Sequence, residues 1–375
     1  MTPEEARVLF PLAEKQVWMR HSGGSPTPLP VRDAICRVAH AMTESMDWPE
    51  QYYADRNALR EVLGRLINAD ASNIAFTRAT AHGLSLVASG LDWRAGDNVV
   101  GARMEYPTNL FPWMALERHD VELRLVEPVE GRITPDAVFE AMDERTRVVS
   151  LSFVQFWNGY RLDVAAIGAE CRRRGVTFVV DGIQGVGAVR IDVEAANIDV
   201  LAAGAIKWLM GPAGIGFCFV HPATAERLTP PLVGMGSMKD PNPFAPELAW
   251  ADGAKRFEES ATSWLDIAGF LGAVGLLEDV GFDVVEDRVL AHSRRLAEGL
   301  DRLGLTVAAP WPRTRAESSG IIAFHAPDGD PVPVARCLDA AGILSHPQQA
   351  LVRMSPHFYN TDDEMDRVLE ALSGL

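Results

Sequence analysis

The chain has 375 residues, 47% hydrophobic and 23% charged, the balance of a globular protein long enough for more than one domain. A formal net charge of −16 argues against a nucleic-acid or anionic-membrane partner, either of which needs a basic surface. No apolar run reaches membrane-span length, and the four cysteines Cys36, Cys171, Cys218 and Cys337 lack metal-ligand spacing, so no metal is expected.

The opening "MTPEEARVLF" is acidic and lacks the basic-then-apolar pattern of a secretory signal. The expected setting is a reducing cytoplasm, with the cysteines as small hydrophobic residues. Downstream, strand-like and helix-like segments alternate. "NIAFT" (73–77) reads as a strand and "ATAHGLSLVASGL" after it as a helix. "NVVGAR", "ELRLVEP", "TRVVSLSF" and "TFVVD" follow as short strands, with helical stretches such as "DAVFEAMD" and "VAAIGAECRRRG" between them. Such alternation predicts an α/β fold with a parallel sheet covered on both faces. Residues 234–260 are rich in Gly and Pro and read as a long functional loop. Helices over 264–280 and 283–303 come next, then strands "GIIAFHA" and "ALVRMS", and a last helix whose capping box is Thr361 and Glu364. The expected division is an arm and active-site loop (1–30), a large domain (31–255) and a small α+β domain (256–375).

Ligands of open parallel sheets gather at the carboxyl ends of strands. Asp181 closes "VTFVVD" there, where a helix cap or turn acid is the plain alternative, and Gln184 lies one turn on. Ala79, Thr80 and Ala81 open a helix after Thr77, and its free N–H groups suit a phosphate as well as they suit a simple cap. Lys207 sits in "LAAGAIKWLMGPAGIGFCFV", where burying an ammonium is costly, although lysines often snorkel to solvent. Together the four match pyridoxal phosphate. That cofactor needs a lysine amine, an acid for its pyridine nitrogen, phosphate donors and a flat group against its ring.

"FVVDGIQGVGAVRIDV" and "NIDVLAAGAIKWLMGPAGIGFCFV" resemble the cofactor core of the class V aminotransferase family of fold-type I enzymes. "MRHSGGSPTPLP" is similar to that family's N-terminal loop, "EYPTNLFPW" to its ring-stacking segment, "FEESATSW" to its inter-subunit segment, and "VRMSPHFYNTDDEMDRVLEAL" to its last strand and helix. The resemblance implies a mostly parallel seven-stranded sheet in the large domain and a homodimer with active sites at the interface. It implies that Lys207 bonds the cofactor as a Schiff base and moves protons. Asp181 would pair with the pyridine nitrogen and Gln184 with the phenolic oxygen. Tyr106 would stack on the ring where many relatives have histidine, and Ala79 and Thr80 would contact phosphate. Arg353 would clamp the substrate's α-carboxylate, while Asn158, His21 and Ser22 would line the substrate side.

Two departures stand out. The segment "GILSHPQQALVRMS" carries Ser345, His346 and Gln348 where desulfurases place a nucleophilic cysteine, and Cys337 lies earlier in a helix. Gly204, Ala205 and Ile206 replace the phosphate-contacting residues that usually precede the lysine, so Ser260 and Thr262 are expected to supply contacts instead. The expected activity is lyase or transferase chemistry on a small α-amino acid. C–S cleavage (β-elimination) of a cysteine conjugate in specialised metabolism leads. Epimerisation like that of isopenicillin N epimerase, decarboxylating deamination and transamination stand as alternatives, with a non-catalytic regulator behind them.

Overall fold

Strand sequences that are apolar throughout, such as "VLAAG" and "GFCFV", are stable only inside a sheet covered on both sides. The computed structural model, which describes residues 1–46, 49–242 and 244–374, buries every position of both. The strands are β1 (Val17–Trp18), β2 (Ile74–Thr77), β3 (Asn98–Ala102), β4 (Glu122–Val126), β5 (Thr146–Ser152), β6 (Thr177–Asp181), β7 (Val200–Gly204), β8 (Gly216–Val220), β9 (Ile322–His325), β10 (Ile343–Leu344), β11 (His346–Gln348) and β12 (Leu351–Met354). Seven of them form one sheet in the order β2-β8-β7-β6-β5-β3-β4. Only β8 runs against its neighbours, so the expected mostly parallel seven-stranded sheet is present.

One core lies on each face of this sheet. The helix Val164–Arg174 contributes Ile167 and Cys171 to one of them. The helix Thr80–Gly90 contributes Leu84, Val87 and Ala88 to the other. Gly83 lets that second helix lie almost on the strands: a Cβ there would stand 2.6 Å from Cβ of Ala202 in β7. The close approach brings the N-terminus of the helix to the ends of β7 and β2.

A smaller antiparallel sheet, β11-β12-β9, carries the C-terminal region, and β10 pairs in parallel with β1. The N-terminal strand therefore belongs to the small core, where Val17 and Met19 pack with Leu296, Phe324 and Met354. The helix Trp264–Val280, by contrast, buries Ile267, Phe270 and Leu277 in the large core. The helix Phe282–Arg302 gives Val285 and Val289 to the large core and Leu296 and Leu300 to the small one. Packing thus changes from one core to the other within that helix. The last helix, Asp362–Leu372, starts at the expected capping box: Thr361 Oγ1 accepts from Glu364 N, and Glu364 Oε2 accepts from Thr361 N at 3.0 Å. Among the described residues, no helix is long and apolar enough to cross a membrane.

Candidate active site

Three chain segments meet at the carboxyl edge of the large sheet, around a cavity of about 170 Å³. Lys207 enters it just beyond β7, Asp181 from the end of β6, and Ala79, Thr80 and Ala81 from the start of the helix after β2. Tyr106 covers the opening. The residue is 47% exposed, and its ring centroid lies 5.5 Å from Lys207 Nζ.

The lysine is held by its backbone. Its carbonyl accepts from Ser25 Oγ at 2.5 Å and from Met210 N at 2.9 Å. Met210 takes the left-handed conformation, φ 55°, that closes this turn. The neighbouring Trp208 is fully buried. Burial holds the Lys207 amine below the ordinary lysine value. Asp181 opposes that shift and the positive Arg353 adds to it. Asp181 is 2% exposed and pushed above the usual carboxylate range, mainly by burial and further by the nearby Glu105. One of its oxygens accepts from Ile183 N at 3.0 Å. A carboxylate so enclosed is incomplete without a cationic or donor partner.

The helix Thr80–Gly90 has Ala79 as its N-cap, with no side chain closing the end. Its first N–H groups therefore face a wall of small residues. Thr80 Oγ1 accepts from Gly204 N at 3.0 Å, which leaves its own proton to donate. A desolvated amine, an unpaired buried acid, an uncapped helix start and an aromatic ring fit the amine, pyridine nitrogen, phosphate and ring of pyridoxal phosphate in turn.

Arg353, on β12, is 4% exposed. Its Nη1 donates to the Phe156 carbonyl at 2.5 Å, while its buried Nε has no partner. Burial lowers its guanidinium to about 10. A buried, part-satisfied fork of this kind has donors free for a carboxylate.

Other expected site residues sit elsewhere. Gln184 does not line the cavity; its Oε1 accepts from Trp208 Nε1 at 3.1 Å and its Nε2 donates to the Ser22 carbonyl at 3.0 Å. It braces the lysine turn against the N-terminal loop, with one N–H left over. His21 is a buried residue that does not line the Lys207 cavity. Its Nδ1 donates to the Ser355 carbonyl and its Nε2 accepts from Tyr359, both at 2.9 Å. Ser22 is likewise a buried link, its Oγ 2.9 Å from Ser355 Oγ. Asn158 is also away from that cavity: its amide donates to the Gly131 carbonyl at 2.7 Å and accepts from Tyr160 N at 2.9 Å, clasping two loops. Ser260 and Thr262 line a separate cavity of about 310 Å³, whose wall at Arg78 and Gly214 it shares with the Lys207 cavity. Within one chain they do not meet Lys207.

Glu105 went unnoticed in the sequence although it directly precedes Tyr106. It is fully enclosed, accepting from Ser152 N at 2.7 Å, Gln155 Nε2 at 3.1 Å and Ser152 Oγ. Burial raises its carboxyl above the usual range despite these bonds. The signal available was an acid amid "RMEYPTN" after an apolar strand.

The sequence profile of the family described as "Aminotransferase class-V" matches residues 22–368. Isopenicillin N epimerase of Streptomyces clavuligerus is 31% identical, across 99% of this chain and 98% of its own. A probable cysteine desulfurase of Pyrococcus abyssi (strain GE5 / Orsay) is 29% identical, across 100% of this chain and 97% of its own. Among solved structures, the cystine C–S lyase C-DES in complex with its product cysteine persulfide has a TM-score of 0.89 at 25% identity, covering 97% of this chain and 99% of that one. The apo cysteine desulfurase of Thermococcus onnurineus NA1 shares the fold, with a TM-score of 0.90 at 24% identity over 100% and 98% of the two chains.

Proposed function

The chain belongs to the aminotransferase class-V family of pyridoxal-phosphate-dependent enzymes, and on that premise we propose that it cleaves the C–S bond of a cysteine conjugate by β-elimination. The observation that carries this reading is the placement of the thiols. Cys171 and Cys218 are core residues whose thiols burial pushes up to about 12. Cys36 is exposed on the helix Leu29–Glu44, and Cys337 on the helix Pro331–Ala340 has its Sγ turned to the Ala371 carbonyl at 3.7 Å. None lines the Lys207 cavity. Sulfur transfer to a protein persulfide needs a thiolate at the substrate. Elimination needs only a base at Cα and a leaving thiolate.

Bound pyridoxal phosphate supplies an electron sink for charge developing at Cα. Lys207, Asp181, Thr80, the N–H groups at Ala79–Ala81 and the Tyr106 ring would hold it. Asp181, enclosed at the end of β6, would pair with the pyridine nitrogen of the bound cofactor and keep it protonated. Arg353 binds the α-carboxylate and fixes which Cα bond faces Lys207. The depressed Lys207 amine is available in its neutral form to take the Cα proton. The Cα–H and Cβ–S bonds break, the thiolate leaves with the bonding electrons, and water converts the remaining fragment to pyruvate and ammonia.

The test is a panel of S-substituted cysteines and cystine, assayed for pyruvate, ammonia and the released sulfur product, a thiol from a thioether and cysteine persulfide from cystine. Equal yields of the three are expected. Alanine with a protein persulfide, or an exchanged amino group without pyruvate, would overturn the reading. A second reading, epimerisation, is supported by the epimerase relative, and loss of Cα chirality without pyruvate would establish it. The same proposal takes the enzyme to be a cytoplasmic homodimer. Leu232, Val233, Met235 and Leu248 leave an apolar surface exposed, and a partner there would explain it. Ser260 and Thr262 would then complete phosphate contacts across the interface. Sedimentation should give a dimer.

A further inference from the structure

His346, Arg353 and Arg20 project from one face of the small sheet. His346 on β11 is the register partner of Arg353 on β12. Arg20 pairs with Ser355, two residues beyond Arg353. Register partners, and residues two apart on one strand, share a face. From Arg20 the chain runs on to Ser25, which bonds the Lys207 carbonyl, so the loop that carries Arg20 reaches the lysine turn. The charge of Arg20 acts on both Arg353 and His346, and that of Lys207 also reaches His346.

The cluster lacks an anion. Arg20 is half-buried and has no side-chain partner among the described residues. Arg353 Nε and His346 Nδ1 are buried without partners, as are Ser345 Oγ and Trp157 Nε1 beside Arg353's contact Phe156. A buried guanidinium with Nε unbonded and a half-buried one with no side-chain partner leave positive charge that a ligand carboxylate would answer. One α-carboxylate answers Arg353. Nothing in a short neutral side chain answers Arg20.

We infer that this face is a second carboxylate subsite: the substrate is an amino acid whose side chain ends in a carboxylate, held by Arg20 with His346 beside it. Burial and the surrounding cations hold His346 down to about 4, so it is a neutral imidazole at working pH, with an N–H to give. The inference names the substrate class of the lyase reading and rests on it for the reaction, though not for binding. Cysteine conjugates with an acidic end, cystine among them, carry both carboxylates.

L-2-Aminoadipate and L-norleucine have equal chains, one ending in a carboxylate and the other in a methyl, and neither has sulfur to lose. Calorimetric titration of the holoenzyme should show aminoadipate bound more tightly by about tenfold or more. Arg20→Met should erase the difference, and Arg20→Lys should keep part of it. Thermal melts establish that each variant is folded. Equal affinities in the unaltered enzyme, or a preference that survives Arg20→Met, would overturn the inference. S-carboxymethyl-L-cysteine separates the two readings: no pyruvate from it, with the aminoadipate preference intact, defeats the lyase reading and leaves this one standing.

Discussion

Arg353→Lys tests the substrate clamp most directly. The native guanidinium is buried, bonded through Nη1 to the Phe156 carbonyl, and keeps Nε unpartnered. A lysine retains the charge but is a single point donor, so it cannot bond Phe156 and grip a carboxylate through a fork at once. One hydrogen bond to a charged group contributes about 1.5–3 kcal/mol, and each ~1.4 kcal/mol is tenfold, so substrate affinity should fall by roughly 10- to 150-fold. The loss should show in KM and kcat/KM, because the carboxylate is held in ground and transition states alike. Arg353→Met adds an electrostatic effect. The Arg353 charge helps depress Lys207, so removing it should raise the Lys207 value and move the acidic limb of the pH–rate profile to higher pH. Arg353→Lys should leave that limb in place. Unchanged affinity in Arg353→Lys, or an unmoved limb in Arg353→Met, would refute the placement of this arginine at the site.

Alkylating the exposed Cys36 and Cys337 with iodoacetamide should leave turnover intact, and inactivation protected by substrate would contradict the thiol-free mechanism. Lys207→Ala, reduced with borohydride in the presence of pyridoxal phosphate, should show no added cofactor mass, whereas the unaltered chain should. In cofactor-free protein the raised Asp181 binds its proton more tightly folded than unfolded. Its contribution to stability is thus full below the ordinary carboxylate value of about 3.9 and is lost as pH rises through its folded value, about 7. Denaturant melts of Asp181→Asn should therefore lack the part of the pH dependence that the unaltered protein shows across that window.

What could be read in the sequence divides along a physical line. That Lys207, Asp181 and Thr80 share one edge cavity was legible because strand ends are set by apolar runs, and polar groups following such runs must lie at the sheet edge. His21, Ser22 and Asn158 were not, because loop residues are assigned by whichever partners the fold brings near. His21 meets Ser355 and Tyr359 more than 300 positions away, and those bonds make it a core residue. Gln184 was half legible: its place one turn after Asp181 was right, but the indole of Trp208 and the carbonyl of Ser22 occupy most of its amide. Arg20 was hidden for the same reason. Its place beside Arg353 comes from a register between Arg20 and Ser355 that no local pattern encodes. On the proposed assignment, the cofactor end of the site would be written in short-range sequence, and the substrate end in long-range pairing of the N-terminal loop with β12. That division explains why the cofactor chemistry follows from motifs while selectivity must be sought where two distant segments are brought side by side.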